Sequence, residues 1–164
     1  MQLLLALLFL ALAYLLFWPT ELEPEARELP PPPELTGPYA PNDRLTEAEL
    51  LELPDGRSGP EDIAVLDGVI YTTDIKGGLY RLAEDDTFEL VAELGGRPLG
   101  LTEGQDGSLY IADSYRGITR WSPEGRLDVL ADRAGGEPIT YANQIEVDAD
   151  GVVYFTNSTS RHDP

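Results

Sequence analysis

Glu61 and Asn143 are the side chains of this sequence whose type and spacing point to chemistry. A motif occurs three times, as Asp67-Gly68-Val69-Ile70-Tyr71-Thr72-Thr73-Asp74, Asp106-Gly107-Ser108-Leu109-Tyr110-Ile111-Ala112-Asp113 and Asp150-Gly151-Val152-Val153-Tyr154-Phe155-Thr156-Asn157. Aligned on the glycines, Glu61, Leu99 and Asn143 fall in one slot, 7, 8 and 8 residues ahead of Gly68, Gly107 and Gly151. Glu61 and Asn143 carry hard oxygen donors and Leu99 does not. Oxygen ligands from separate repeats are what a Ca²⁺ site needs, with further oxygens completing a shell of about six to eight. The alternative is that both side chains only cap turns, and spacing does not separate the two readings.

A second shared slot holds Asp74, Asp113 and Asn157, six residues after each glycine. The expected role of the two aspartates is structural, bonding backbone amides of the following turn. Asn157 is also a candidate ligand, because an amide beside Asn143 can reach a bound ion or substrate. His162 is the single histidine, which leaves no convincing nucleophile–His–carboxylate triad and reads as a surface loop residue. Tyr115, Arg116 and Tyr141 are candidates for the rim of a site, with packing or solvent-facing roles as the alternative. Asn157-Ser158-Thr159 fits a glycosylation sequon, relevant only in a eukaryotic secretory route.

The elements that must position these residues are short strands. The glycines recur at steps of 39 residues (68 to 107) and 44 residues (107 to 151). Periods of roughly 40–50 residues with several strands each mark the blades of a β-propeller, whose inner strands line a central channel. Blade 1 reads as strands over Pro60–Val65, Val69–Thr73, Gly78–Leu82 and Phe88–Leu94. Blade 2 reads as Pro98–Thr102, Ser108–Ala112, Gly117–Trp121 and Leu127–Ala131, and blade 3 as Asn143–Val147 and Val152–Thr156. Asp-Gly pairs and Glu124-Gly125 supply the turns. Leu45–Leu53 reads as a helical turn or a first strand that completes the last blade. A ring needs about four to eight blades. The 164 residues are therefore expected to be roughly the first half of one, and residues 42–164 are not expected to fold stably alone.

Three divisions follow: 1–19 as a membrane anchor or signal, 20–44 as a Pro/Glu-rich linker, and 45–164 as the partial propeller. Leu3 to Trp18 carries no charge. Sixteen residues make about 24 Å of helix, slightly under a bilayer core of about 30 Å. An uncleaved transmembrane helix is favoured over a cleaved signal peptide, because no basic side chain precedes the apolar run. The expected topology is single-pass, with the propeller periplasmic, lumenal or extracellular. Pro30–Pro33 stiffens the linker into a polyproline stalk. The formal charge of −19 argues against nucleic acid as a partner, since phosphates would be repelled. The absence of cysteine excludes disulfides and thiolate chemistry within these residues.

Gly59-Pro60-Glu61-Asp62, Gly96-Arg97-Pro98-Leu99-Gly100-Leu101, Ala112-Asp113-Ser114-Tyr115-Arg116-Gly117 and Asn143 through Tyr154-Phe155-Thr156-Asn157-Ser158-Thr159-Ser160-Arg161 occur in an order that resembles the strictosidine synthase-like family. The resemblance covers about residues 55–164 and is nearest to the family's membrane-anchored type. It belongs to a superfamily that includes gluconolactonases and paraoxonases. It implies an all-β, six-bladed propeller, with one N-terminal transmembrane helix ahead of it. It also implies Ca²⁺ in the channel, with Glu61, Asn143 and Asn157 as the matching ligands, acting on an ester or lactone substrate. The ion would polarise the carbonyl and stabilise the oxyanion. Leu99 departs from the gluconolactonase pattern, which has asparagine there. The rival readings are a strictosidine synthase-type condensing enzyme and a propeller that binds a ligand without turnover.

Overall fold

The computed structural model describes residues 2–17 and 26–159. They belong to two compact units, Met1–Glu47 and Ala48–Pro164. In the first unit, helix α1 spans Gln2–Phe17, 16 residues without an acidic or basic side chain in its terminal turns. Its large apolar side chains from Leu4 onward are exposed. Among the described residues, no helix is long and apolar enough to cross a membrane. Residues 26–36 have no regular structure, and a single 3₁₀ turn follows at Gly37–Tyr39.

The second unit is built of antiparallel sheet. The first blade runs β1 (Ile63–Leu66), β2 (Val69–Thr73), β3 (Gly78–Leu82) and β4 (Phe88–Glu93), hydrogen-bonded in that order. The second runs β5 (Pro98–Glu103), β6 (Leu109–Asp113), β7 (Gly117–Trp121) and β8 (Leu127–Ala131), again in chain order. A small hairpin, β9 (Arg133–Ala134) with β10 (Glu137–Pro138), leads to β11 (Ala142–Val147) paired with β12 (Val153–Asn157). Asp67 and Gly68 both adopt positive φ, 51° and 79°, the geometry of the tight hairpin turn that Asp-Gly favours.

Burial follows the pleat. In β1, Ala64 and Leu66 point into the core while Ile63 and Val65 are exposed. In β5, Pro98 through Leu101 are all buried, because the second blade is packed on both faces. Leu66, Leu79, Leu94, Leu101, Leu109 and Trp121 form the core between blades 1 and 2. Ala112, Ile118, Ile139, Ala142 and Ile145 form a second core between blades 2 and 3. Each fully buried leucine or isoleucine contributes about 1.5–3 kcal/mol. These two layers hold the three inner strands β1, β5 and β11 against one another.

Besides strand ends that move by one residue, three details differ from the sequence expectation. β1 starts at Ile63 rather than Pro60: proline has no N–H for the ladder, and the Asp62 carbonyl accepts the Thr72 hydroxyl at 2.7 Å. Residues 45–53 form no strand; a turn at 44–47 gives way to irregular chain and a 3₁₀ turn at Pro54–Gly56. The β9–β10 hairpin was not expected, since arms of two residues carry no readable periodicity.

Candidate functional site at the inner strands

The pairing register tests the proposed repeat directly. Ile63 pairs with Thr72, Leu101 with Ile111 and Ile145 with Phe155, each partner lying four residues after its aligned glycine. Glu61, Leu99 and Asn143 therefore hold equivalent places, two residues before these pairs. A register shift falls between Pro98 and Gly100 in blade 2 and between Ala142 and Ile145 in blade 3, on the slot itself. Such bulges re-aim side chains at the rims of sheets.

A cavity of about 290 Å³ lies among β1, β5 and β11, lined by Asp62, Val65, Leu101, Thr102, Gln144 and Glu146 among others. The residues that follow Glu61 and Asn143 thus line it. Asp62 Oδ2 accepts the Leu101 N–H at 3.0 Å and the Gln144 side-chain N–H at 3.1 Å, joining all three blades. Glu61 is exposed, and its carboxylate accepts no hydrogen bond among the described residues. Asn143 is exposed and donates its amide N–H to Ser158 Oγ at 3.0 Å, leaving its own oxygen without a donor. Leu99 is buried.

Gly100 explains how β11 comes so close. A Cβ at this position would stand 2.6 Å from the Asn143 carbonyl oxygen and 2.9 Å from the Gln144 Cα. Backbone cannot yield to such an intrusion, so only glycine permits β5 and β11 to approach here.

The second slot is the contrast. Asp74 is fully buried; its Oδ1 accepts the Lys76 and Gly78 N–H groups, and its Oδ2 accepts Tyr80 Oη and Arg57 Nη1. Burial opposes ionisation, yet these donors outweigh it and hold the carboxyl below its ordinary range. Tyr80 is pushed up to about 12 by burial and by its bond to Asp74. Asp113 Oδ1 accepts the Arg97, Tyr115 and Arg116 N–H groups. Asn157 Oδ1 accepts the Tyr141 N–H at 2.8 Å, which is the Arg97-to-Asp113 bond repeated one blade on.

Of the proposed rim residues, Tyr115 is exposed. Arg116 is tied into the turn by Asp113 Oδ2 and the carbonyls of Leu94 and Gly95. The Tyr141 ring lies 5.9 Å from the Arg97 guanidinium carbon. His162, Ser160 and Arg161 lie outside the described residues, as does Trp18 at the end of the apolar run.

The donor chemistry fits a hard cation. Glu61 and Asn143 each offer side-chain oxygen, and neither oxygen group is consumed by a described neighbour. Among the described residues no three acidic, histidine or cysteine side chains gather at one point, so two ligands are the most this set assigns. Sequence reading missed Asp62 and Gln144. In each repeat with an oxygen donor in the slot a second polar residue follows immediately, a pattern that marks the position but not the bonds to other blades that it makes.

Residues 37–82 match the family model described as strictosidine synthase-like, N-terminal. An adipocyte plasma membrane-associated protein from Salmo salar is 35% identical over 159 residues, covering 85% of this chain and 38% of that protein. Strictosidine synthase-like 3 from Arabidopsis thaliana is 46% identical over 67 residues, 40% of this chain and 17% of that one. A solved gluconolactonase from Xanthomonas campestris superposes with a TM-score of 0.57 at 22% identity, over 62% of this chain and 35% of the other, a likeness of fold. The chain thus spans about two-fifths of the length of the adipocyte-type relatives it matches.

Proposed function

Because the chain belongs to the strictosidine synthase-like family, we propose that it forms part of a membrane-anchored, six-bladed β-propeller that hydrolyses esters or lactones with Ca²⁺. Glu61 and Asn143 would hold the ion, Asn157 being the weaker candidate because its Oδ1 already accepts the Tyr141 N–H, and water and further residues would complete its shell. When bound, the ion supplies Lewis-acid polarisation of the substrate carbonyl. This chain's own contribution is to carry two oxygen donors from different blades at the entries to one set of packed inner strands. The carrying observation is the register, which gives Glu61 and Asn143 equivalent places while Asp62 and Gln144, their neighbours, are in contact at 3.1 Å.

Anchoring rests on the uncharged run from Leu3 to Trp18 and agrees with the name of the salmon relative. An export topology would put the propeller on the extracytoplasmic side. Deleting residues 1–19 should move the protein from the membrane pellet to the soluble fraction after alkaline extraction; retention in the pellet would exclude the anchor.

Buried Leu99 supports a second reading, in which the propeller binds a small ligand without turning it over, because it interrupts the series of oxygen-bearing slots. One assay separates the two. Aryl esters and lactones are offered to the protein with and without Ca²⁺, alongside Glu61→Gln and Asn143→Ala. Hydrolysis that depends on the ion and falls by roughly 100-fold or more in either variant supports the hydrolase. Turnover indifferent to metal and to both substitutions would end the metal assignment.

A further inference from the structure

We propose that Asp62 is the positioning residue of the site: it is no ligand itself, and it sets the spacing of Glu61 and Asn143 by tying three blades together through one carboxylate. The inference deepens the proposed function and rests on Glu61 and Asn143 being the ion's ligands.

Each of the three oxygens of Asp62 accepts a hydrogen bond. Its carbonyl accepts the Thr72 hydroxyl at 2.7 Å, from a buried residue of β2. Its Oδ1 accepts the Ile63 N–H at 2.9 Å, which sets the side-chain rotamer against its own strand. Its Oδ2 then receives two donors from other blades, the Leu101 N–H of β5 and the Gln144 amide of β11. β5 is the edge strand of its sheet, so alternate N–H groups of its inner side have no ladder partner and need one. Asp62 supplies it to Leu101. Gln144 lies next to Asn143, and Glu61 lies next to Asp62, so the bond between Asp62 and Gln144 joins the immediate neighbours of the two proposed ligands.

The repeats make the assignment specific. The places equivalent to Asp62 are Gly100 in blade 2 and Gln144 in blade 3. Blade 1 thus carries the acceptor and blade 3 the donor. Blade 2 carries no side chain at all, where one would strike the β11 backbone. A carboxylate at Gly100 or an apolar residue at Gln144 would break the set. Partners that orient metal ligands without touching the metal typically change affinity by 10–100-fold when removed.

The test is Ca²⁺ binding to the intact protein by isothermal titration calorimetry, with far-UV circular dichroism and melting temperature recorded for each variant. Asp62→Asn keeps one oxygen able to accept both trans-blade bonds and loses the charge and the local Ile63 bond. It should bind within about threefold of the unsubstituted protein. Asp62→Ala loses every side-chain bond and should bind 10- to 100-fold more weakly. Gln144→Leu loses only the blade 3 arm and should fall between them.

Equal affinity in Asp62→Ala and the unsubstituted protein overturns the inference. So does an Asp62→Asn variant as weak as Asp62→Ala, because the charge rather than the hydrogen bonds would then be what the ion needs. If Asp62→Ala does not fold, Gln144→Leu decides, and unchanged affinity there overturns the role. No Ca²⁺ uptake by the unsubstituted protein removes the proposed function first, which distinguishes that failure from failure of the positioning role.

Discussion

The two repeated slots of this chain recur with one period in the sequence and stand as opposites in the structure. Asp74 and Asp113, at the ends of β2 and β6, are buried and saturated with donors. Glu61 and Asn143, at the entries to the inner strands, are exposed and keep oxygen lone pairs unused. Both slots recur with the repeat, so periodicity alone marks symmetry and not chemistry. What separates them is the supply of donors. A carboxylate that already accepts four hydrogen bonds has nothing left for an ion, whereas one that accepts none is free to coordinate.

Removing a member of the saturated slot breaks the comparison most severely. Asp74→Ala would leave the Lys76 and Gly78 amides and the Tyr80 hydroxyl without their acceptor, in a fully buried place. Deleting one partner of such a buried charged network costs about 3–5 kcal/mol. Urea unfolding should show the midpoint falling by a corresponding amount with an unchanged slope; a loss below about 1 kcal/mol would show that water replaces the carboxylate.

The same network predicts two limbs of pH dependence. Asp74 titrates below its ordinary value in the fold, so its contribution is complete above about pH 4 and is lost as pH falls through the folded value. Tyr80 is raised from 10.0 to about 12, so its contribution is present below pH 10 and lost as pH climbs toward about 12. Tyr80→Phe should abolish the alkaline limb between those values in a stability–pH series. Persistence of that limb would assign it to another group.

Much of this was legible in the chain. The strands Val69–Thr73, Gly78–Leu82, Gly117–Trp121 and Leu127–Ala131 were readable to the residue, because Asp-Gly and Gly punctuation bounds them. The turn role of Asp74 and Asp113 was readable from their place after a β-rich run. Asp62 was not. Its importance comes from a bond spanning 82 residues to Gln144 and another spanning 39 to Leu101, and no local pattern encodes contacts at that separation. The meaning of Gly100 was hidden for the same reason, since the atoms it makes room for belong to another blade.

Gly100 sharpens the comparison at intermediate size. Gly100→Ala places a methyl group against the β11 backbone, and overpacking of this kind costs about 1–3 kcal/mol. The larger consequence should fall on the open slot, because β11 must retreat and take Asn143 with it. Ca²⁺ affinity is expected to drop in this variant more than Gly107→Ala would cause, where no atom lies within 4 Å and only the positive φ of 72° resists. Matching losses of affinity in the two would detach the β5–β11 approach from the site.

The smallest expected change in stability is the most telling about function. Glu61→Gln removes a charge that no described neighbour uses, from an exposed position, and should alter unfolding free energy by no more than about 0.5 kcal/mol. Without Ca²⁺ it could even stabilise, since the chain carries a formal charge of −19 and each carboxylate removed eases self-repulsion. With Ca²⁺ the order should reverse, because a ligand that binds only the folded state stabilises it by mass action, and the variant would forgo that gain. Melting temperatures of both proteins across a Ca²⁺ series therefore give curves that cross. Parallel curves would mean that the unused lone pairs of Glu61 are an ordinary solvated carboxylate, and the distinction between the saturated and the open slot would carry no chemical consequence.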